Sequence, residues 1–209
     1  YNTELLAKRK LKAPQSWADL LKPEFKGEIQ VANPASSGTA YTMIATLVQL
    51  MGEDKAFEYM KGLHKNVSQY TRSGTGPIKA VARGETSLSL SFVHDAVTEK
   101  NAGFPVSYAT PCEGTGYEIG SMSIIKGTRN LANAQKFYDW ALTAPAQRLG
   151  FEAGKQMQMS SNVETPLPAG APDLTKIKLV AYDFVTYGKA ETRRRLLQRW
   201  DSEVGALPR

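Results

Sequence analysis

The chain has 209 residues, 42% of them hydrophobic and 22% charged, a composition that supports a sizeable globular core and excludes disordered, fibrous and collagenous classes. The net charge of +6 suits an anionic ligand, but the Lys and Arg residues are scattered and no recognition motif accompanies them, so nucleic acid is set aside as a partner. Cys112 is the single cysteine, which rules out an intrachain disulfide, and no apolar run approaches the roughly 20 residues of a membrane span.

The opening YNTELLAKRKLKAP begins without Met and reads as the middle of something longer, so a processed or truncated chain is expected. SWADLL is expected to be a short helix capped by Ser16, and EIQVA a strand. That strand delivers the chain to residues 33–51, NPASSGTAYTMIATLVQLM, the stretch around which the rest is organised. Pro34 ends the strand. Ser36, Ser37, Gly38 and Thr39 are small enough to let a ligand approach the free N–H groups of the first helical turn, and the hydroxyls add donors. Tyr41, Ile44, Ala45 and Val48 follow at i, i+3, i+4, i+7 spacing and should pack the helix body. A plain N-cap without a ligand is the simpler alternative, and two similar turns downstream weigh against it.

Residues 53–64 read as a helix with Ala56, Tyr59 and Met60 on one face, and residues 67–71 as a strand. The turn Arg72-Ser73-Gly74-Thr75-Gly76 and a helix opened by Pro77 then repeat the first design. TSLSLSF, residues 86–92, alternates strictly and reads as a strand ending at Val93-His94-Asp95. A short helix, a strand over residues 105–110, a turn at residues 112–116 and a last clear strand over residues 117–126 come next. From Asn130 a helix carries Leu131, Ala134, Phe137, Tyr138 and Ala141 on one stripe, and Pro145 opens another that runs to about Ala153. Residues 160–172 hold most of the Pro and Gly punctuation and read as a linker; a final amphipathic helix covers residues 189–204, with Arg193-Arg194-Arg195 as a solvated turn.

Alternating strands and helices imply an α/β layer structure, in which ligands bind beyond the carboxyl ends of strands. Each singled-out turn follows a strand, so parallel neighbours would gather Ser37, Gly38, Thr39, Ser73, Thr75, His94 and Asp95 around one small anion. Hydroxyls with helix N-termini suit a phosphate or phosphonate, whereas Asp95 and Glu118 have the right chemistry for sugar hydroxyls or an amine. Against this, His94 is readable as a structural residue and Asp95 as a helix cap. Glu118, in the otherwise apolar YEIGSMSII, needs a partner, a ligand or solvent.

The blocks FKGEIQVANPASSGTAY, YTRSGTGPIKAVARGE, LSFVHDAV, PCEGTGYEIGSMSIIKGTRN and NAQKFYDWAL, with YDFVTYGKAETRRRLLQRWDSEV at the end, resemble in their order the second lobe and C-terminal part of periplasmic substrate-binding proteins of ABC importers. The resemblance is to the cluster of ferric-ion, phosphonate and sugar-phosphate binders. It implies a type II periplasmic-binding-protein lobe of three layers with a mixed sheet: residues 1–159 as the second α/β lobe, residues 160–209 as a linker and helices returning to a first lobe that is mostly absent. Ferric binders of this cluster carry adjacent tyrosines where this chain reads Phe92-Val93-His94-Asp95, and the loss of those phenolates argues against iron. The His-Asp pair and the Glu of GTGYE are similar to the hexose-phosphate branch, which implies Ser37, His94, Asp95 and Glu118 as ligand contacts.

The resemblance therefore implies a periplasmic solute-binding component that captures a sugar phosphate and docks on a membrane permease, with no cofactor, no metal and no catalysis. Alternatives are a 2-aminoethylphosphonate or ferric-ion binder, an enzyme on a phosphate ester for which no activated nucleophile is identifiable, and the effector domain of a regulator. With the first lobe missing, Tyr182, Phe184, Leu196, Leu197 and Trp200 are expected to lack their partner, favouring a homodimer or a domain-swapped oligomer.

Overall fold

Asn2 starts the first helix, α1 (Thr3–Lys8), by accepting a hydrogen bond from the Leu5 N–H on its side chain. The structure, a computed structural model, describes residues 1–208; Arg209 lies outside it. SWADLL forms a short 3-10 helix at Ala18–Leu21 rather than an α-helix, with Ser16 Oγ accepting from the Asp19 N–H at 3.1 Å. Strand β1 (Ile29–Ala32) is buried along its whole length and leads into α2 (Gly38–Met51). The expected stripe of Tyr41, Ile44, Ala45 and Val48 is buried, and Ala40, Thr42, Thr46 and Leu47 are buried with it, so this helix is covered on more than one face. Then come α3 (Glu53–His64), β2 (Val67–Thr71), α4 (Gly76–Ala82), β3 (Leu88–Ser89) and α5 (Val93–Asn101).

The three strands form one parallel sheet in the order β2-β1-β3, not the mixed sheet expected. Two other predicted strands are absent among the described residues. Residues 105–110 contribute only a bridge between Val106 and Asn2. In residues 117–126 the apolar side chains find no ladder partner, and Ile119 and Ile125 are exposed.

The chain divides into two units, residues 1–117 with 173 onward and residues 118–172. The second unit carries α6 (Leu131–Ala141) and α7 (Ala144–Glu152), the latter capped by Thr143, whose Oγ1 accepts from the Ala146 N–H at 3.4 Å. Of the stripe predicted on α6, Ala134, Tyr138 and Ala141 are half-buried while Leu131 and Phe137 are exposed. The proline-rich residues 160–172 belong to this unit.

Back in the first unit, the Leu179 segment bridges Thr115 in parallel, and α8 (Phe184–Tyr187) leads to α9 (Ala190–Trp200) and a π-helical turn at Asp201–Gly205. Leu196, Trp200 and Val204 are buried in the same core as Ile44, Leu47, Phe57 and Met60. This corrects the expectation that the C-terminal helix lacks a partner: Trp200 meets the Tyr70 ring edge-on at 5.2 Å, and the ground for exchanging this helix between copies falls away. Tyr182 and Phe184 join Tyr117 and Tyr187 in an aromatic cluster.

The arginine run is not a purely solvated turn either. The Arg193 guanidinium lies 4.8 Å from the centre of the Tyr41 ring, Arg195 holds Glu53 with two bonds of 2.6 and 2.8 Å, and Arg199 reaches Glu53, Asp54 and Glu203 while lying over Phe57.

Replacing Trp200 with Ala should cost about 3–5 kcal/mol, the usual range for emptying a buried aromatic site, as read by chemical denaturation. The Glu53 carboxyl is held below its usual range, first by the hydrogen bond from Arg195, against burial, and then by Arg199. Because the folded value is the lower one, this contribution is fully present above the ordinary Glu value near 4.5 and is lost as pH falls through the folded value. Glu53→Gln should therefore flatten the acid limb of a stability-versus-pH curve, and an unaltered limb would contradict the pairing.

Candidate functional site

Asn33 follows the last residue of β1 and shapes the first turn. Its N–H extends the pairing with β2 by donating to the Thr71 carbonyl at 2.7 Å, its carbonyl accepts from the Ser36 and Ser37 N–H groups, and its side-chain Oδ1 accepts from the Ala35 N–H at 2.8 Å. Ser37, buried, is the N-cap of α2, with its Oγ accepting from the Ala40 N–H at 3.4 Å. The start of α2 stays open: Gly38 is exposed, and a Cβ there would have nothing within 4 Å.

The turn after β2 comes close to this one. Ser36 Oγ donates to the Arg72 carbonyl at 2.9 Å. A Cβ on Gly74 would lie 2.5 Å from Thr39 Oγ1 and 3.0 Å from Ser37 Oγ, so the approach of the turns depends on a glycine at this position. Ser73 and Thr75 face each other with hydroxyl oxygens 3.1 Å apart.

The third contribution differs from the expectation in its local structure. His94 and Asp95 are not the end of a strand; β3 is confined to Leu88–Ser89, and the pair sits in the first turn of α5, whose N-cap is Phe92. Asp95 Oδ2 accepts from the Ser91 hydroxyl at 3.0 Å, and Oδ1 lies 3.4 Å from His94 Nε2. The His94 ring stacks on Phe92 with centres 5.5 Å apart and planes at 24°. A cavity of about 160 Å³ shares Thr39, Ser91 and Phe92 with these turns and is walled further by Trp17, Met43 and Tyr108.

The parallel order β2-β1-β3 thus puts Ser37, Gly38, Thr39, Ser73, Thr75, His94 and Asp95 at the carboxyl edge of one sheet, all within the first unit. Glu118 is the first residue of the second unit and is exposed, so it needs no buried partner. Sequence reasoning missed Gly74 and Ser91. The strict alternation of TSLSLSF was the available signal for Ser91; nothing local marks Gly74 apart from other turn glycines.

The bacterial extracellular solute-binding protein family pattern matches residues 1–186. A Haemophilus influenzae protein is 48% identical over 204 residues, which is 97% of this chain and 59% of that one. The periplasmic binding protein AfuA from Actinobacillus pleuropneumoniae, solved with exogenous fructose-6-phosphate bound, superposes with a TM-score of 0.94 at 50% identity, covering 99% of this chain and 65% of AfuA. The periplasmic binding protein P5PA superposes at 0.90 with 45% identity, over 97% of this chain and 64% of its own. The chain therefore spans about three-fifths of the length of these relatives.

Gly74→Ala tests the contact between the first two turns. The added carbon must displace the Ser37 and Thr39 hydroxyls, at a stability cost of about 1–3 kcal/mol for overpacking, and, where these turns hold an anion, phosphate affinity should fall far more than overall stability. Calorimetric titration with inorganic phosphate beside a melting curve separates the two; intact phosphate affinity would mean that the turns act independently.

Proposed function

We propose, from the premise that this chain belongs to the bacterial extracellular solute-binding protein family, that it carries much of the solute site of an ABC importer's binding component, and that the solute is a sugar phosphate such as a hexose phosphate. The observation that carries this reading is the meeting, at one sheet edge, of two hydroxyl-bearing turns with a His-Asp pair. The turns offer O–H and N–H donors and an open helix N-terminus, which suit a multidentate oxyanion. Asp95 offers an acceptor, which a phosphate does not need and a sugar hydroxyl does. The likeness to AfuA, with its bound fructose-6-phosphate, supports the same solute class.

On this reading the protein binds and releases its ligand without turnover, works in the periplasm, and hands the solute to a membrane permease. Seven of the expected contacts, Ser37, Gly38, Thr39, Ser73, Thr75, His94 and Asp95, lie in the first unit; the eighth, Glu118, belongs to the second. An amine next to a phosphonate, as in 2-aminoethylphosphonate, is the rival solute, because Asp95 accepts from an ammonium as well as from a hydroxyl.

Isothermal titration with fructose 6-phosphate, fructose, inorganic phosphate and 2-aminoethylphosphonate tests the reading. Fructose 6-phosphate should bind most tightly. Asp95→Asn, which keeps the shape but turns an acceptor into a donor, should weaken it by about tenfold or more while moving inorganic phosphate by less than about twofold. Equal losses for both ligands would make Asp95 structural, and preferential binding of the phosphonate would reassign the solute.

A further inference from the structure

Asp95 is only 8% exposed, and a carboxylate so far from water needs a partner for each oxygen. The two oxygens go to different groups: Oδ1 to His94 Nε2 at 3.4 Å, and Oδ2 to the Ser91 hydroxyl at 3.0 Å. Ser91 Oγ also lies 3.5 Å from the Gly74 carbonyl, but a hydroxyl has one proton, and the shorter distance and the charge both favour the carboxylate. Ser91 comes just after β3 and Asp95 lies in the first turn of α5, so this bond joins the strand end to the helix start. On the other side of the pair the Phe92 ring limits the His94 imidazole.

We infer that Ser91 is a positioning residue of the binding site, holding the Asp95 carboxylate in the one orientation that presents its Oδ1 side, next to His94, to a ligand hydroxyl. This rests on the sugar-phosphate reading above. Without the Ser91 hydroxyl, Oδ2 would be left buried without its donor, and the carboxylate would turn to find another. The anion turns would not feel the change. The consequence is a selective one: affinity is lost for ligands that use an acceptor and kept for those that do not.

The experiment compares wild type, Ser91→Ala and Ser91→Thr in the natural protein, by titration with fructose 6-phosphate and with inorganic phosphate, together with crystal structures of the three proteins in the absence of ligand. Ser91→Ala should weaken fructose 6-phosphate by about tenfold, the scale of one hydrogen bond to a charged group, with less than about twofold for inorganic phosphate. Ser91→Thr, which restores the hydroxyl, should recover most of the affinity. In a crystal structure of the ligand-free Ser91→Ala protein the Asp95 carboxylate should be turned away from its wild-type orientation, and in Ser91→Thr it should return to it. Unchanged fructose 6-phosphate affinity in Ser91→Ala, or equal losses for both ligands, overturns the inference. If wild type binds no fructose 6-phosphate, the solute reading falls, and the ligand-free structure of Ser91→Ala alone decides about Ser91: an Asp95 carboxylate left in its wild-type orientation overturns its role, and a turned one sustains it.

Discussion

The site depends on the central position of β1, which is hydrogen-bonded in parallel to β2 on one side and β3 on the other. Parallel pairing places the carboxyl ends of all strands on one edge, and the connections that leave that edge must each turn back through a helix. Three turns therefore converge without any further device. Asn33, just past β1, makes the transition sharp: it gives its N–H to the Thr71 carbonyl and its carbonyl and side chain to the turn, so pairing and turn meet at one residue.

Such a small sheet needs cover, and α2 supplies it from the same segment that forms the first turn. Because Ile44, Ala45 and Leu47 are fully buried, the direction of this helix, and with it the direction of its N-terminal N–H groups, is set by core packing rather than by propensity. The C-terminal helix α9 completes the cover with Leu196 and Trp200, and its arginines tie it to the acidic start of α3. Packing accounts for most of this attachment. The ion pairs are partly exposed, and their worth falls accordingly.

What the sequence made legible follows from how local each cause is. The helices over residues 38–51 and 53–64 were readable because apolar spacing and a Ser cap are written within a single turn or two. The two hydroxyl-bearing turns were readable for the same reason, and so was their shared edge once the strands were taken as parallel. The strands over residues 105–110 and 117–126 were misread because a ladder needs a neighbour, and alternation within one segment carries no information about one. The place of α9 was misjudged because Trp200 and Leu196 look alike whether they cover this core or another; only the aromatic edge of Tyr70 and the acidic Glu53 decide it. Gly74 was invisible for a related reason, since its need comes from Thr39, thirty-five positions away in the chain but in contact across the sheet edge.

The chemistry of the edge suits reversible capture. A binding site that relied on a buried cation would leave that charge unpaired whenever the ligand departed, at a cost of several kcal/mol. The hydroxyl groups of the two turns are neutral and already engaged: Ser73 pairs with Thr75, Ser36 donates to the Arg72 carbonyl, and Ser37 accepts from the Ala40 N–H. Asp95 is likewise provided for, by Ser91 and His94. Among the described residues the one buried side-chain polar atom without a partner is Thr165 Oγ1, which belongs to the other unit. On the reading proposed above, an oxyanion would exchange these modest internal hydrogen bonds for charge-assisted ones.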